Sequence, residues 1–348
     1  MEPADEAQKT PALSVVTTLY KSQRFIDEFY NRMKATLAKA GLAHEIIFVN
    51  DGSPDESLDY ARRLADADPA VTVVDLSRNF GHHKAMMTGL EFARHPLVFL
   101  IDVDLEEAPE LLLEYLEALR SATGVDVIYG VQDRRKGGWF ERFSGRIFYS
   151  LFNRLSEDQL PPNMALSRLM TRRYVRNLLR FRERNLFIPG VWHMMGFEQR
   201  PLVIQKTSSG QTSYTFRKKL THFVDAVTSF SDTPLTLIFY SGLILCGVSF
   251  ALAAFFIVLK LIYGVSVSGW TSLIVVFSSF TGIVILFLGV IGIYLSKLFI
   301  EIKRRPFTII KSVHPAGRGG ARGRTPLRLR PAAGRGMAGT SLEDNPRA

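Results

Sequence analysis

Short apolar runs alternate with amphipathic stretches through the first 131 residues of the chain. The apolar runs predict five buried strands at 13–19, 45–50, 71–76, 97–102 and 126–131. The intervening segments carry apolar residues at helical spacing and predict helices at 25–37, 55–68, 83–94 and 108–121. This alternation predicts an α/β fold with a mostly parallel sheet, in which ligands bind beyond the carboxyl ends of the strands.

Two much longer apolar segments follow, at 235–263 and 270–296. Each is longer than the roughly 20 residues that cross the hydrocarbon layer of a bilayer. Lys260 is the only charged residue in either segment, and Tyr263 and Trp270 flank the uncharged turn between them. This pattern predicts a two-helix transmembrane hairpin rather than two buried core helices.

Basic residues flank the predicted hairpin on both sides, at 217–219 and again from Lys297 onward. The positive-inside rule therefore places both ends in the cytoplasm, as in an integral protein of a bacterial inner membrane. The amphipathic stretches 137–155 and 216–230 mix aromatic and basic residues and favour interfacial helices, with a packed surface helix as the alternative for the first.

The net charge of +10 is concentrated at one end of the chain. Residues 297–348 carry twelve Lys and Arg against three Asp and Glu, so the other 296 residues are nearly neutral. A nucleic-acid-binding face on the main domain is not supported, and no nucleic acid partner is expected. A single cysteine, Cys246, excludes an internal disulfide and a cysteine-based metal cluster.

Carboxylates follow the fourth apolar run, where Asp102 and Asp104 stand two residues apart and Glu106 comes next. Two carboxylates at the carboxyl edge of a strand suit Mg²⁺ or Mn²⁺, which prefer oxygen ligands and bridge diphosphate oxygens. An Asp-x-Asp pair can also lie on a solvated loop. The presence of Asn50-Asp51-Gly52-Ser53 at the end of an earlier strand favours the metal-site interpretation.

Several motifs occur in a specific order: SVVTTLY, VNDGSPDES, SRNFGHHKAMMTGL, IDVDLEEAPE and SFSDTPL. With them the chain resembles the family 2 glycosyltransferases of the GT-A fold, from about Leu13 to Val313. It resembles most closely the dolichol-phosphate-mannose synthase and bacterial polyprenyl-phosphate glycosyltransferase group.

The expected domain organisation combines this resemblance with the hydropathy pattern. A polar segment at 1–12 precedes a Rossmann-like GT-A domain at 13–215 and an amphipathic juxtamembrane helix at 216–233. Two transmembrane helices occupy 234–296, and a basic cytoplasmic tail at 297–348 is expected to be disordered beyond about 312.

The resemblance implies roles for individual residues. The catalytic residues it implies are Asp102, Asp104 and Arg134. The metal ligands are Asp102, Asp104 and Glu106, the last in place of a Gln. The nucleotide-sugar would contact Thr18, Tyr20, Asp51, Arg78 and Asp102. The acceptor phosphate would contact Arg135, Arg168, Lys206, Thr212 and Tyr214. For His82 and His83 a helix-capping role is favoured over contact with phosphate.

The chain departs from the group's pattern at three places. Thr18-Leu19-Tyr20-Lys21-Ser22 stands where Pro-x-Tyr-Asn-Glu is usual, which leaves the nucleotide base open. Ala165-Leu166-Ser167-Arg168-Leu169 replaces Gly-Asp-Phe-Arg-Leu, so an acidic residue near the acceptor is missing. Gly210-Gln211-Thr212-Ser213-Tyr214 lacks the lysine of Gly-x-Ser-Lys-Tyr, whose charge Lys206 or Arg217 could supply.

These observations predict a metal-dependent, inverting glycosyltransferase that moves a sugar from a nucleotide-sugar to a polyprenyl phosphate, such as undecaprenyl phosphate, at the cytoplasmic membrane face. Its product would serve cell-envelope glycan assembly or modification. Two alternatives stay open: a membrane-bound family 2 enzyme with another glycan or lipid-linked acceptor, and a catalytically inactive membrane scaffold. Membrane lipid is an expected partner, and the sequence leaves a homo-oligomer open.

Overall fold

The protein is built around an eight-stranded sheet. The computed structural model describes residues 12–132, 164–184, 186, 188–206, 233–263 and 269–315. The strands in chain order are β1 Ala12–Leu19, β2 Ala43–Asn50, β3 Val71–Leu76, β4 Leu97–Leu100, β5 Val127–Gln132, β6 Met164–Thr171, β7 Gln199–Ile204 and β8 Ile310–His314. Their order across the sheet is β7-β5-β6-β4-β1-β2-β3-β8.

Helices cover both faces of this sheet. In chain order they are α1 Gln23–Ala40, α2 Ser57–Ala67, α3 His82–Phe92, α4 Leu111–Arg120, α5 Arg172–Leu178, α6 Ile188–Met194, α7 Thr233–Tyr263 and α8 Trp270–Ile302. The apolar faces of α1 and α4 pack into one core, and those of α3, α5 and α6 pack into a second. Successive strand residues point alternately into the two cores, as Val15 and Val16 do in β1.

The five predicted strands and the four helices between them are confirmed by β1 to β5 and α1 to α4. The sheet is more mixed than expected, because β4 and β5 are not neighbours. The strand β6 lies between them and runs antiparallel to both, while β8 runs antiparallel to β3. The parallel pairs are β1–β2, β2–β3, β1–β4 and β5–β7.

The strand β8 returns the chain from α8 to the eight-stranded sheet. The expectation of an irregular tail from about 312 is therefore wrong up to His314, which pairs with Val73 of β3. Phe307 is buried in the second core, and Thr308 Oγ1 lies 2.8 Å from Thr88 Oγ1 on α3. These contacts fix the end of α8 to the sheet.

The two long apolar segments both form helices, α7 and α8, which contact each other. Within the described residues, 279–302 is the one segment long and apolar enough to cross a membrane. The apolar stretch described in α7, Thr233–Ser249, is shorter. Large apolar side chains of α8 are exposed, Phe277 at 73 % and Ile302 at 74 %, as expected of a surface that meets lipid. One candidate span is thus present, and the two-span hairpin is not established.

Some predictions concern parts of the chain outside the described residues. These are the first eleven residues, the amphipathic stretches 137–155 and 216–230, the tail beyond 315, and the site residues Arg134, Arg135, Thr212 and Tyr214.

Candidate active site

Thr18 and Asp102, both predicted site residues, lie near His82 at the carboxyl ends of β1 and β4, which are adjacent and parallel. His82, the first residue of α3, lies between the other two. Its Nδ1 is 3.0 Å from Thr18 Oγ1, and its Nε2 is 3.4 Å from Asp102 Oδ1. Burial and the neighbouring His83 lower the pKa of His82 to about 4, so its imidazole is neutral at pH 7.

This position corrects the helix-capping role expected for His82. The N-cap of α3 is Gly81, and no side chain caps the helix there. The imidazole instead connects β1 to the first carboxylate of the Asp-x-Asp motif. His83 contacts a different part of the chain, with Nδ1 3.3 Å from the carbonyl oxygen of Leu186.

The carboxylates lie in a tight turn after β4. Asp104 Oδ1 accepts a hydrogen bond from the Glu106 backbone N–H at 3.0 Å, and Leu105 between them has φ of 61°. A positive φ is uncommon for a leucine, and packing of its side chain against the first core offsets the strain. Burial, followed by the charges of Asp104 and Glu107, raises the pKa of Asp102 well above its usual value.

Glu107 joins this turn to β6, a role that the sequence did not reveal. Its side chain is 2 % exposed. Oε1 accepts from Lys206 Nζ at 2.7 Å and from the Leu166 backbone N–H at 3.2 Å, and Oε2 accepts from the Ser167 N–H at 2.7 Å. A buried carboxylate with three donors fixes the position of the turn. Glu107 also lies beside Leu166, the position at which the motif of the related glycosyltransferases has an Asp.

Asp51, predicted to contact the nucleotide, binds the loop between β3 and α3. Its carboxylate is buried and accepts hydrogen bonds from the backbone N–H groups of Phe80 and Gly81 at 2.7 and 3.0 Å. The next residue, Gly52, has φ of 60°, and a Cβ there would lie 2.4 Å from the backbone carbon of Arg78. Asp51 and Gly52 therefore hold this loop against the end of β2.

Tyr20 and Arg78 remain accessible at the same edge of the sheet. Tyr20 follows β1 directly and is 47 % exposed. Arg78 is exposed, and its guanidinium carbon lies 4.6 Å from the centroid of the Phe80 ring. Both side chains can reach a ligand bound over the carboxyl ends of β1 to β3.

Arg168, predicted to contact the acceptor phosphate, is instead fully buried. Its guanidinium carbon lies 3.0 Å from the centroid of the Trp192 ring, in the second core. Burial lowers its pKa to about 10. This burial is at odds with a direct contact to an acceptor. Tyr174 and Trp192 are core residues.

The chemistry and the neighbours of the carboxylates decide whether they suit a metal ion. Within the described residues, no group of three or more His, Cys, Asp or Glu side chains forms a preassembled metal cluster. Asp102 and Asp104 nevertheless fit Mg²⁺ or Mn²⁺, because such ions are often held by one or two carboxylates together with substrate phosphates. Burial first, and then the charges of Asp104 and Glu107, raise the pKa of Asp102, and a cation here would offset both effects. Glu106 lies 3.8 Å from Lys206 Nζ, which competes with a metal for it.

Comparison with known proteins assigns the class. The family model described as "Glycosyl transferase family 2" matches residues 14–187. The chain therefore belongs to glycosyltransferase family 2, and it is a glycosyltransferase by family.

Individual relatives cover most of the chain. A Mycobacterium tuberculosis protein assigned by name to the glycosyltransferases is 47 % identical over 87 % of this chain and 88 % of its own length. A Shigella flexneri protein named SfII prophage-derived bactoprenol glucosyl transferase is 32 % identical over 87 % of this chain and 98 % of its own length. Mannosyl-3-phosphoglycerate synthase from Rubrobacter xylanophilus is 16 % identical over 67 % of this chain and 75 % of its own, with a TM-score of 0.44, and this partial likeness adds nothing to the assignment.

Proposed function

We propose that this protein transfers a sugar from a nucleotide-sugar to a polyprenyl phosphate, with inversion at the anomeric carbon. The observation that carries the proposal is the extent of the likeness to the bactoprenol glucosyl transferase, which spans 98 % of that relative and includes its C-terminal part. The exposed apolar surface of α8 supports it, since an acceptor with a long apolar tail is met at the membrane.

The acceptor's chemistry reduces what the protein must provide. A phosphate monoester has a second pKa near 6 and is already largely a dianion at neutral pH. One of its oxygens forms a bond to the anomeric carbon while the bond from that carbon to the donor diphosphate breaks. An alcohol acceptor would require a positioned base to remove its proton, whereas the dianion requires little such help. The absence of an acid at Leu166 is therefore compatible with the proposed reaction.

The chain's own residues position the reactants. Asp102 and Asp104 would hold Mg²⁺ or Mn²⁺, and the ion would neutralise charge on the departing diphosphate. Neutral His82 keeps Asp102 in place from the β1 side, and Glu107 fixes the same turn from the β6 side. Tyr20 and Arg78 would contact the nucleotide-sugar. Arg134 is proposed as a further catalytic residue, with Arg135, Thr212 and Tyr214 at the acceptor phosphate.

The proposed membrane arrangement has two spans, α7 and α8, with the catalytic domain and both termini in the cytoplasm. Basic residues near the ends and the uncharged connection support it. A cysteine introduced at Ser266 in the chain with Cys246 replaced should react with a membrane-impermeant maleimide in intact cells. A cysteine introduced in the tail beyond 315 should react only after lysis. Labelling of the tail from outside would overturn the arrangement.

Transfer itself is tested by incubating membranes that contain the protein with labelled nucleotide-sugars of different bases and with undecaprenyl phosphate. Labelled lipid from one donor is the expected result. Labelling of a glycan without labelled lipid would favour the second candidate, a family 2 enzyme with another acceptor. That candidate is favoured by the departure at 165–169 from the expected acceptor motif.

A further inference from the structure

Three cationic side chains lie around the segment that follows α8, and the charges of Arg184 and Arg78 both act on Lys84. Lys84 lies in the first turn of α3, Arg78 in the loop before it, and Arg184 in the segment between α5 and α6. The backbone N–H of Arg184 donates to Glu301 Oε2 at 2.8 Å, which joins this segment to α8. Lys84 Nζ lies 5.9 Å from the centroid of the Phe307 ring, just beyond α8.

This cationic cluster, defined as Arg78, Lys84 and Arg184, lies near two carboxylates, Glu301 and Glu183. Among the residues that the structure describes, none of the three forms an ion pair with a carboxylate. In the described part of the chain, the buried Nε of Arg184 has no hydrogen-bond partner, although such groups are usually satisfied. Burial, then the charges of Arg184 and Arg78, lowers the pKa of Lys84, with Glu301 opposing the shift. An anion at this position would offset the repulsion among the three cations and could accept a hydrogen bond from Arg184 Nε.

The position of the cluster specifies the kind of anion. The apolar helix α8 ends at Ile302, which is exposed, and the exposed residues 303–305 are Lys-Arg-Arg. If α8 spans the bilayer, Glu301 and its partner Arg184 lie at the level of the lipid headgroups. Lys84 is also only two residues from His82, which contacts Asp102. A phosphate bound by the cluster would thus be at headgroup depth and near the carboxylate turn.

We propose that Lys84 and Arg184 of this cluster bind the phosphate monoester of the lipid acceptor as it approaches from the membrane, while Arg78 adds positive charge beside them. This inference rests on the proposed function, since it names where that acceptor enters. Guanidinium groups suit phosphate oxygens because they can donate two parallel hydrogen bonds, and an ammonium group adds a point charge. Other phosphate sources are a general anionic lipid and the diphosphate of the donor.

The test uses the full chain in lipid nanodiscs, with binding of undecaprenyl phosphate measured by titration. The variants are Lys84→Met, which keeps the apolar stem of the side chain, and Arg184→Gln. Arg182→Gln is the matched control, because Arg182 is a neighbouring cation that pairs with Glu91 at 2.7 Å. Each test variant should weaken binding of undecaprenyl phosphate about tenfold, the effect of losing one hydrogen bond to a charged group. The control should remain within about twofold of the native protein.

Two further titrations distinguish the sources of phosphate. UDP and GDP with Mn²⁺ probe the donor site, and phosphatidylglycerol in the nanodisc probes a general lipid site. Unchanged affinity for these ligands, beside a loss for undecaprenyl phosphate, supports the proposal. Equal losses for the nucleotide or for phosphatidylglycerol would overturn the acceptor assignment, as would unchanged binding of undecaprenyl phosphate.

If the native chain itself binds no undecaprenyl phosphate, the proposed function fails and the acceptor site fails with it. If the native chain binds it and only the variants are unaffected, the site alone fails.

Discussion

Replacement of Glu107 by Gln tests whether this buried carboxylate holds the turn that carries Asp102 and Asp104 in place. The carboxylate receives hydrogen bonds on both oxygens, from Lys206 and Leu166 on one and from Ser167 on the other. A glutamine amide has one oxygen and one NH₂ group, so in either orientation the NH₂ faces a donor. The substitution also removes the charge that Lys206 contacts at 2.7 Å.

The expected loss follows from these contacts. A hydrogen bond to a charged group contributes roughly 1.5–3 kcal/mol, and an unsatisfied buried donor adds a penalty of similar size. Breaking a fully buried ion pair costs about 3–5 kcal/mol, but Lys206 is partly exposed, at 24 % of its side chain. We therefore expect Glu107→Gln to lower the free energy of unfolding of the α/β domain by about 2–3 kcal/mol.

The assay is urea unfolding of the detergent-purified chain, with a double-mutant cycle that includes Lys206→Met. The coupling between the two substitutions should be at least about 1 kcal/mol, because both remove the same contact. The control is Glu110→Gln, whose carboxylate pairs with Arg32 at 2.7 Å on the surface and should contribute less than about 1 kcal/mol. If Glu107→Gln is within about 0.5 kcal/mol of the native protein, or the coupling is absent, Glu107 does not have this role.

Two further predictions address the metal site and the response to pH. Asp104→Asn should reduce transfer at least about a hundredfold while the circular dichroism spectrum stays native, and transfer at the native rate would contradict the metal assignment. Burial raises the pKa of Asp126, but hydrogen bonds from Arg173 and Thr171 outweigh it and hold that pKa below its usual value. The stabilisation is therefore present above about pH 4 and is lost as the pH falls through the folded-state pKa. The stability difference between the native protein and Asp126→Asn should narrow below pH 4, and a constant difference would refute this.

The sequence predicted the first five strands because each combines a continuous apolar run with flanking helical periodicity. It missed β6, in which Ser167 and Arg168 interrupt the apolar pattern. Both are buried by tertiary contacts: Ser167 Oγ lies 2.6 Å from Tyr115 Oη, and Arg168 lies against Trp192. It also missed β8, whose partner β3 lies more than 230 residues earlier in the chain. Such pairing leaves no local signal.

The candidate site could be predicted only in part, because the local sequence does not show which distant residues folding brings together. Asp102 and Asp104 were identified because they directly follow a buried strand. Glu107, three residues further on, resembled an ordinary residue at the start of a helix. Its role depends on Lys206 and β6, which are brought to it only by folding. For Arg168 the resemblance implied contact with the acceptor phosphate, and its burial could not be predicted from the neighbouring residues.

The central claim is that the acceptor is a lipid phosphate. It is tested most directly by giving the purified, reconstituted protein its nucleotide-sugar with undecaprenyl phosphate, undecaprenol or a water-soluble oligosaccharide, and identifying the products by mass spectrometry. The account predicts a single glycosyl-phosphoryl-undecaprenol product, formed only with the phosphorylated lipid and only when Mg²⁺ or Mn²⁺ is present. Transfer to undecaprenol or to the oligosaccharide at a comparable rate would contradict it.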